Sequence, residues 1–265
     1  MTSVSKPHFQ SLIALWSKLQ LPLRPQEPVP STVAALLPKG RRTRLLLMGV
    51  TPDYVDLSDD LTAIDWSAEM IAHVWPGDTQ TRRAELGDWR SMPFEADQFD
   101  AAVGDNSMSL LTYPGDLDQA LGEMRRVLRP GGRAVIRWFL APDTAPTDTE
   151  LVSFVDELDA EGADALRWRF AIDAVHSADG QNVRVTEAYE KYTRLFPDLE
   201  KLAYDKGWDA GQRTRLELYR GSEMELAFPK REEMEAVARR HFDHIDYFPS
   251  GDYIMAEFAP LVVLS

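Results

Sequence analysis

Three stretches carry side chains that could hold and orient a ligand: Asp65-Trp66-Ser67, Gly87-Asp88-Trp89 and Gly104-Asp105-Asn106-Ser107. A carboxylate beside an indole suits an adenosine. The acid accepts hydrogen bonds from both ribose hydroxyls, charge-assisted bonds of about 1.5–3 kcal/mol each, and the ring covers the base, adding about 0.5–1.5 kcal/mol beyond its buried area. On this reading Asp65 takes the ribose, Trp66 and Trp89 bracket the base, and Asp88 takes its exocyclic amino group. Asp105 and Asn106 then sit near the reacting end of the ligand. A competing account makes the acids turn residues and helix caps, and the indoles core. Recurrence at successive strand ends favours the ligand.

These residues need a scaffold that brings strand ends together. Leu45–Met48, Leu61–Asp65, Phe99–Gly104 and Arg133–Leu140 are short apolar runs of strand length. Helical patterns separate them: one from Ser67, a plausible N-cap, and one whose inward face is Leu117, Leu121, Met124, Val127 and Leu128. Buried strands alternating with helices predict a parallel sheet covered on both faces. In such sheets ligands bind beyond the carboxyl ends of the strands, where strand order reverses.

The flanks differ in character. Phe9, Leu12, Ile13, Trp16 and Leu19 recur at helical spacing, predicting an amphipathic helix over 6–20. Pro22, Pro25, Pro28 and Pro30 follow as an extended strap, and a second short helix is expected over 31–37. Residues 147–215 read as mostly helical, with breaks near Gly162 and at Ala178-Asp179-Gly180. A helix over Lys230–Phe242 precedes strands at His244–Phe248 and Tyr253–Leu264, joined by a hairpin turn at Ser250-Gly251-Asp252.

Composition excludes several classes. The 265 residues hold 43 acids and 29 basic residues, a net charge of −14, and no cysteine. Disulfide scaffolds, thiolate nucleophiles and Cys-ligated metals are ruled out. The charge opposes a nucleic-acid partner, whose binding rests on Lys and Arg. Residues 1–50 nonetheless carry +6 against −20 for the rest; such an arm can dock on its own acidic body. No apolar run approaches the ~20 residues of a membrane span, so no membrane and a cytoplasmic location are expected. There is no G-x-S-x-G elbow and no G-x-G-x-x-G fingerprint. His241-x-x-His244 lacks a neighbouring third ligand, a divalent-metal site on Asp105 and Asn106 lacks further acids, and no metal is expected.

The run RTRLLLMGV … LTAIDWSAEMI … ELGDWRSMPFEADQFDAAVGDNSMSLL … ALGEMRRVLRPGGRAVIRWF, residues 43–140 or so, resembles the core of class I S-adenosylmethionine-dependent methyltransferases. The order of its blocks carries the likeness: Asp65, Ser67 and Met70; Asp88 with Met92-Pro93-Phe94; Phe99-Asp100; and LRPGG before a strand. The terminal EEMEAVARRHFDHIDYF … YIMAEFAPLVVL is similar to the family's last helix and antiparallel hairpin. The resemblance implies an α/β fold: a Rossmann-like, seven-stranded, mostly parallel sheet with an antiparallel C-terminal hairpin, helices on both faces and a mostly helical insertion. It implies S-adenosylmethionine as cofactor, held by Gly49, Thr51, Asp65, Trp66, Met70, Asp88, Trp89, Asp105, Asn106 and Ser107.

One block departs from the family. Its Asp/Glu-x-Gly-x-Gly-x-Gly loop is replaced by Met48-Gly49-Val50-Thr51-Pro52-Asp53-Tyr54, with one glycine and a proline. The expected division is 1–42 as helix and strap, a lid; 43–142 as cofactor core; 143–225 as acceptor-binding insertion; and 226–265 completing the sheet. The expected function is in-line methyl transfer to a small molecule or peptide. The rival is an inactive methyltransferase-fold binding or scaffold protein. His176, Tyr113, Tyr189 and Arg137 are candidate bases or positioners, none of them compelling from sequence. The aromatic residues of 143–225, Trp168 and Tyr219 among them, suit an apolar acceptor pocket.

Overall fold

A computed structural model describes residues 13, 16–38, 42–178 and 180–265. At its centre β1 (Leu45–Met48) pairs in parallel with β2 (Leu61–Asp65) on one side and β4 (Phe99–Asp105) on the other. The sheet extends through β3 (Arg82–Leu86) to one edge and through β5 (Leu128–Arg137) to the other half. Two antiparallel strands, β8 (Ile245–Phe248) and β9 (Leu261–Leu264), complete the order β3-β2-β1-β4-β5-β9-β8. Strand order reverses between β1 and β4, which places the crevice of an open parallel sheet at their carboxyl ends.

Alternation along β1 assigns each face. Leu46 and Met48 pack beneath α3 (Gly115–Val127) and α9 (Arg231–Ala238). Leu45 and Leu47 pack against α1 (Val29–Leu36) and α2 (Ala68–His73). Period-two burial is what fixes a strand between two helical layers.

The insertion has its own core. Its centre is α5 (Ala163–Ala174), buried along its whole length although it carries Asp164, Arg167, Arg169 and Asp173. Around it lie α4 (Asp148–Glu157), α6 (Val185–Leu195), α7 (Leu199–Asp205) and α8 (Ala210–Leu216). Two short strands, β6 (Asn182–Arg184) and β7 (Glu225–Ala227), pair antiparallel, the first of them within the stretch expected to be mostly helical.

Several expectations are corrected. The helix over 6–20 lies mostly outside the described residues, and Trp16–Lys18 forms a 3-10 turn. The 31–37 helix runs over Val29–Leu36, started by Pro30 in its first turn. No tight hairpin joins β8 to β9. The connection runs through residues 249–260 with a 3-10 turn at Ala256–Phe258, and Ser250 Oγ bonds Tyr253 Oη at 2.6 Å. The strand predicted to end at Leu140 ends at Arg137; beyond it Trp138 N and Leu140 N still donate to Pro260 O and Phe258 O.

Candidate functional site

A cavity of about 1030 Å³, its mouth included, opens at the carboxyl ends of β1, β2 and β4. One half is lined by Met48, Gly49, Val50, Thr51, Asp65, Trp66, Met70, Trp89, Asp105, Asn106 and Ser107. Strap and insertion line the other, with Trp16, Leu19, Leu23, Arg167, Trp168, Leu218, Tyr219 and Met224, joined by Leu110 from the turn after β4. Nine of the ten residues expected at a cofactor site therefore share one wall.

Asp65 sits at the end of β2 with its side chain almost wholly buried. Its Oδ1 accepts from Ser67 N at 2.8 Å, and the Ser67 hydroxyl caps α2 by accepting from Met70 N at 3.2 Å. Desolvation raises the Asp65 carboxyl to about 7, only partly opposed by the Ser67 amide. Gly49 faces it. A Cβ on Gly49 would lie 3.9 Å from Asp65 Oδ2, and its φ of +100° suits glycine.

The carbonyl of Ile64 holds two loops at once. It accepts from Gly49 N and from the Trp89 indole Nε1, each at 2.8 Å. Trp89 is thus a buried strut that presents a ring to the cavity, with its N–H spent on the scaffold. Trp66 is 39% exposed and stands at the rim.

Asp88 is corrected. It does not line the cavity; Arg90 Nη2 donates to its Oδ2 at 2.6 Å and also links it to Asp116 through Nη1 at 2.8 Å. The bonds from Arg90 hold the Asp88 carboxyl below its usual range. Its carboxylate is committed to this ion-pair chain.

Asp105 lines the wall but its carboxylate is chelated by Arg137, with Nη2 donating to Oδ2 at 2.9 Å. Burial alone would lower the Arg137 guanidinium, but the Asp105 carboxylate raises it above its ordinary value. Asn106 follows in a left-handed conformation (φ 54°), turning the chain into the 3-10 turn Ser107–Leu110. Asn106 Oδ1 and Ser107 Oγ are buried without a protein partner. Gly104 permits this approach, since a Cβ there would fall 2.5 Å from Ser107 Oγ.

The loop after β1 needs few glycines. Pro52–Tyr54 form a 3-10 turn, Thr51 has a φ of −59°, and Tyr54 turns away into the core beside Val29 and Val33. Gly49, Val50 and Thr51 remain on the cavity wall.

Residues 48–136 match the family model described as a methyltransferase domain. This stretch, about a third of the chain, carries a methyltransferase domain. It is 26% identical over 162 residues to a demethylmenaquinone methyltransferase of Renibacterium salmoninarum, covering 58% of this chain and 60% of that one. A protein of the same description from Beutenbergia cavernae is 34% identical over 114 residues, 40% and 44% of the two chains. The chain thus matches less than two thirds of either relative's length. Among solved structures, an S-adenosyl-L-methionine-dependent methyltransferase from Methanococcus maripaludis aligns with a TM-score of 0.51 at 15% identity, over 100% of this chain and 94% of that one. A Rhodobacter sphaeroides protein named for the Zn-dependent alcohol dehydrogenases aligns with a TM-score of 0.60 at 14% identity, over 100% and 99%. At such identities these two likenesses concern fold alone.

S-adenosylmethionine is the cofactor that the methyltransferase domain implies, and the first half of the cavity suits it. Asp65 keeps Oδ2 beside Gly49, and the two orphaned atoms of Asn106 and Ser107 offer hydrogen bonds that no protein group makes.

The candidate bases fall elsewhere. Arg137 is bound to Asp105, Tyr113 Oη donates to Glu233 O, Tyr189 Oη donates to Glu217, and none of these residues, nor His176, lines the cavity. His241 Nε2 bonds Asp118 Oδ1 at 2.9 Å and does not pair with His244. No group of three His, Asp or Glu able to hold a metal occurs among the described residues, and no helix among them is long and apolar enough to cross a membrane.

Sequence reasoning missed Arg167, Leu110, Leu218 and Met224, and it did not single out Leu19 and Leu23 as lining residues. Nothing in a helical run such as ALRWRF marks which side chains meet a distant strand end. Trp168 and Tyr219 were in view only as two among many aromatic residues of the insertion.

Proposed function

We propose that this chain transfers a methyl group from S-adenosylmethionine to a small molecule. The observation that carries the proposal is one continuous cavity joining the ends of β1, β2 and β4 to an apolar chamber under the strap. Asp65 would accept hydrogen bonds from the ribose hydroxyls, with Trp66 and Trp89 bordering the base. Backbone from Gly49 to Thr51 would carry the methionine end, and Asn106 and Ser107 would bond the ligand's polar edge. When bound, the cofactor supplies an electrophilic methyl on a cationic sulfur. The protein's share is placement and exclusion of water, and holding two reactants in line can account for about 7–11 kcal/mol of a barrier.

A small acceptor fits better than a peptide because the strap roofs the chamber. Trp16, Leu19 and Leu23 line it, and Arg24 Nε anchors the strap to Asp53 Oδ2 of the β1 loop at 2.9 Å. Leu23 O also accepts from Arg137 Nη2 at 3.3 Å. The relatives' name, demethylmenaquinone methyltransferase, agrees with a small acceptor. Domain roles follow: 1–42 as lid, 43–142 and 226–265 as core, 143–225 as acceptor chamber.

Calorimetry with S-adenosylhomocysteine tests the reading. Micromolar binding, weakened about tenfold or more by Asp65→Ala through loss of charge-assisted bonds, is expected. Absence of binding to the unsubstituted chain would leave the fold as a scaffold.

A further inference from the structure

The second half of the cavity is built around a buried ion cluster. Asp164, Arg167 and Arg215 are each 2–3% exposed. Arg215 Nε donates to both oxygens of Asp164, at 3.1 and 3.0 Å, and Arg167 Nη2 donates to Oδ1 of the same carboxylate. Two guanidiniums share one acid, so the cluster carries a net charge of +1. Asp209, whose charge also acts on Arg215, is exposed and accepts from Gln212 N at the start of α8. The Arg167 guanidinium lies 4.8 Å from the centre of the Tyr219 ring. That ring carries no compensating charge: burial raises the Tyr219 hydroxyl to about 12, so it stays neutral.

The orphaned polar atoms on this half have one sign. Arg167 Nε, Trp168 Nε1 and Trp16 Nε1 are buried N–H groups without a partner, and all three residues line the cavity. Among the described residues lining this half none has an orphaned acceptor; Asn106 Oδ1 and Ser107 Oγ belong to the strand-end wall, and Asp173 Oδ1 and Ser109 Oγ are on residues that do not line the cavity. Leaving a buried donor unpaired is costly, so each of these N–H groups favours an acceptor. Three such donors and a surplus cation within an apolar chamber are a built anion-accepting surface. Leu23, Leu110, Leu218 and Met224 supply the remaining walls, which suit a flat hydrocarbon body. Trp168 is held between Phe139 and Phe228, edge to face at 5.5 and 5.4 Å, so its N–H is fixed in direction.

We infer that Arg167 and Trp168 select an aromatic acceptor carrying an ionised oxygen, a carboxylate or an acidic hydroxyl, and bind it as the anion. The inference rests on the methyltransferase reading and extends it to the acceptor. Arg167 and Trp168 are specificity-determining residues that hold the anion; no proton transfer is assigned to them. Arg215 holds both oxygens of Asp164 and completes the support.

The test is binding, with the full chain saturated with S-adenosylhomocysteine. Benzoate, 2-naphthoate and indole-3-acetate are titrated beside their neutral amides. At least one acid is expected to bind about tenfold or more tighter than its amide, as a charge-assisted bond in a dry pocket requires. Arg167→Met, which leaves Asp164 with Arg215, should abolish that preference. Trp168→Phe keeps the ring but not the N–H and should reduce it about three- to tenfold. Both variants should bind S-adenosylhomocysteine as before, which reports an intact fold. If Arg167→Met does not fold, Trp168→Phe decides alone. Amides binding as well as every acid, failure of all the acids to bind, or a preference untouched by the variants would overturn the inference. Failure of the unsubstituted chain to bind S-adenosylhomocysteine would instead overturn the reading beneath it.

Discussion

Arg137 and Asp105 end adjacent parallel strands and face each other, paired in the register of β4 and β5 and joined through their side chains. Neither side chain is more than 3% exposed. Arg137 further donates to Tyr253 Oη at 3.1 Å and to Leu23 O, so one guanidinium ties the tip of β4 to the β8–β9 connection and to the strap. Sequence placed Asp105 beside the reacting group; in the fold its carboxylate is committed to Arg137 and is not free to serve as a base.

Breaking that pair should be costly for stability. Asp105→Asn or Arg137→Met each leaves a buried charge alone, expected to lower unfolding free energy by about 3–5 kcal/mol. The double variant should recover much of the loss, because two neutral groups need no compensation. Urea unfolding of the four proteins measures this. Additive losses in the double variant would show that the two side chains act separately.

Asp65 makes stability and cofactor binding depend on pH in opposite senses. Its folded pKa of about 7 stands above the ordinary 3.8, so the native chain holds a proton that the unfolded chain has lost. Stability from this group therefore falls as pH rises from about 4 to about 7 and is level above that, a total of about 4 kcal/mol. Binding of the ribose hydroxyls uses the ionised form, so affinity for S-adenosylhomocysteine should drop about tenfold per pH unit below about 7. Asp65→Asn should melt higher than the parent at pH 8 while binding the ligand at least about tenfold more weakly. Affinity unchanged from pH 8 to pH 5.5 would contradict the assignment of Asp65.

Much of this was legible because strands buried on both faces announce themselves. LLLM, LTAID and FDAAVG are apolar runs with an acid or glycine at the end, and all three lie where expected. The edge strand Arg82–Leu86 was not read. RRAEL has no apolar run, and half of an edge strand's surface faces solvent, so charge is tolerated there. Asp88 looked like a ligand residue because its type and place fit. Only the fold shows that Arg90, two residues on, claims its carboxylate. Arg167 was invisible for the reverse reason: its neighbours Asp164 and Tyr219 lie within the same insertion, but the wall it helps form is assembled from β1, β2, β4 and the strap. Local pattern finds the sheet and its ends, whereas the acceptor chamber is a long-range product.

Gly49 is where the shortened loop concentrates its demand for glycine. Its φ of +100° strains any other residue, about 1–2 kcal/mol. An added Cβ would sit 3.9 Å from Asp65 Oδ2, in the space a ribose hydroxyl would use. Gly49→Ala should therefore lower stability by about 1–2 kcal/mol and weaken S-adenosylhomocysteine about tenfold or more, because relief of the strained φ shifts the loop that faces Asp65. Thr51 is different: at φ −59° it is comfortable as it stands. Thr51→Gly, which moves the loop toward the family's glycine-rich pattern, should not tighten binding, since it relieves no strain, and should lower stability by adding unfolded-state entropy. Thermal melts with parallel calorimetry on the two variants read both effects. Tighter binding by Thr51→Gly, or unaltered binding by Gly49→Ala, would mean that the loop holds the cofactor in some other way.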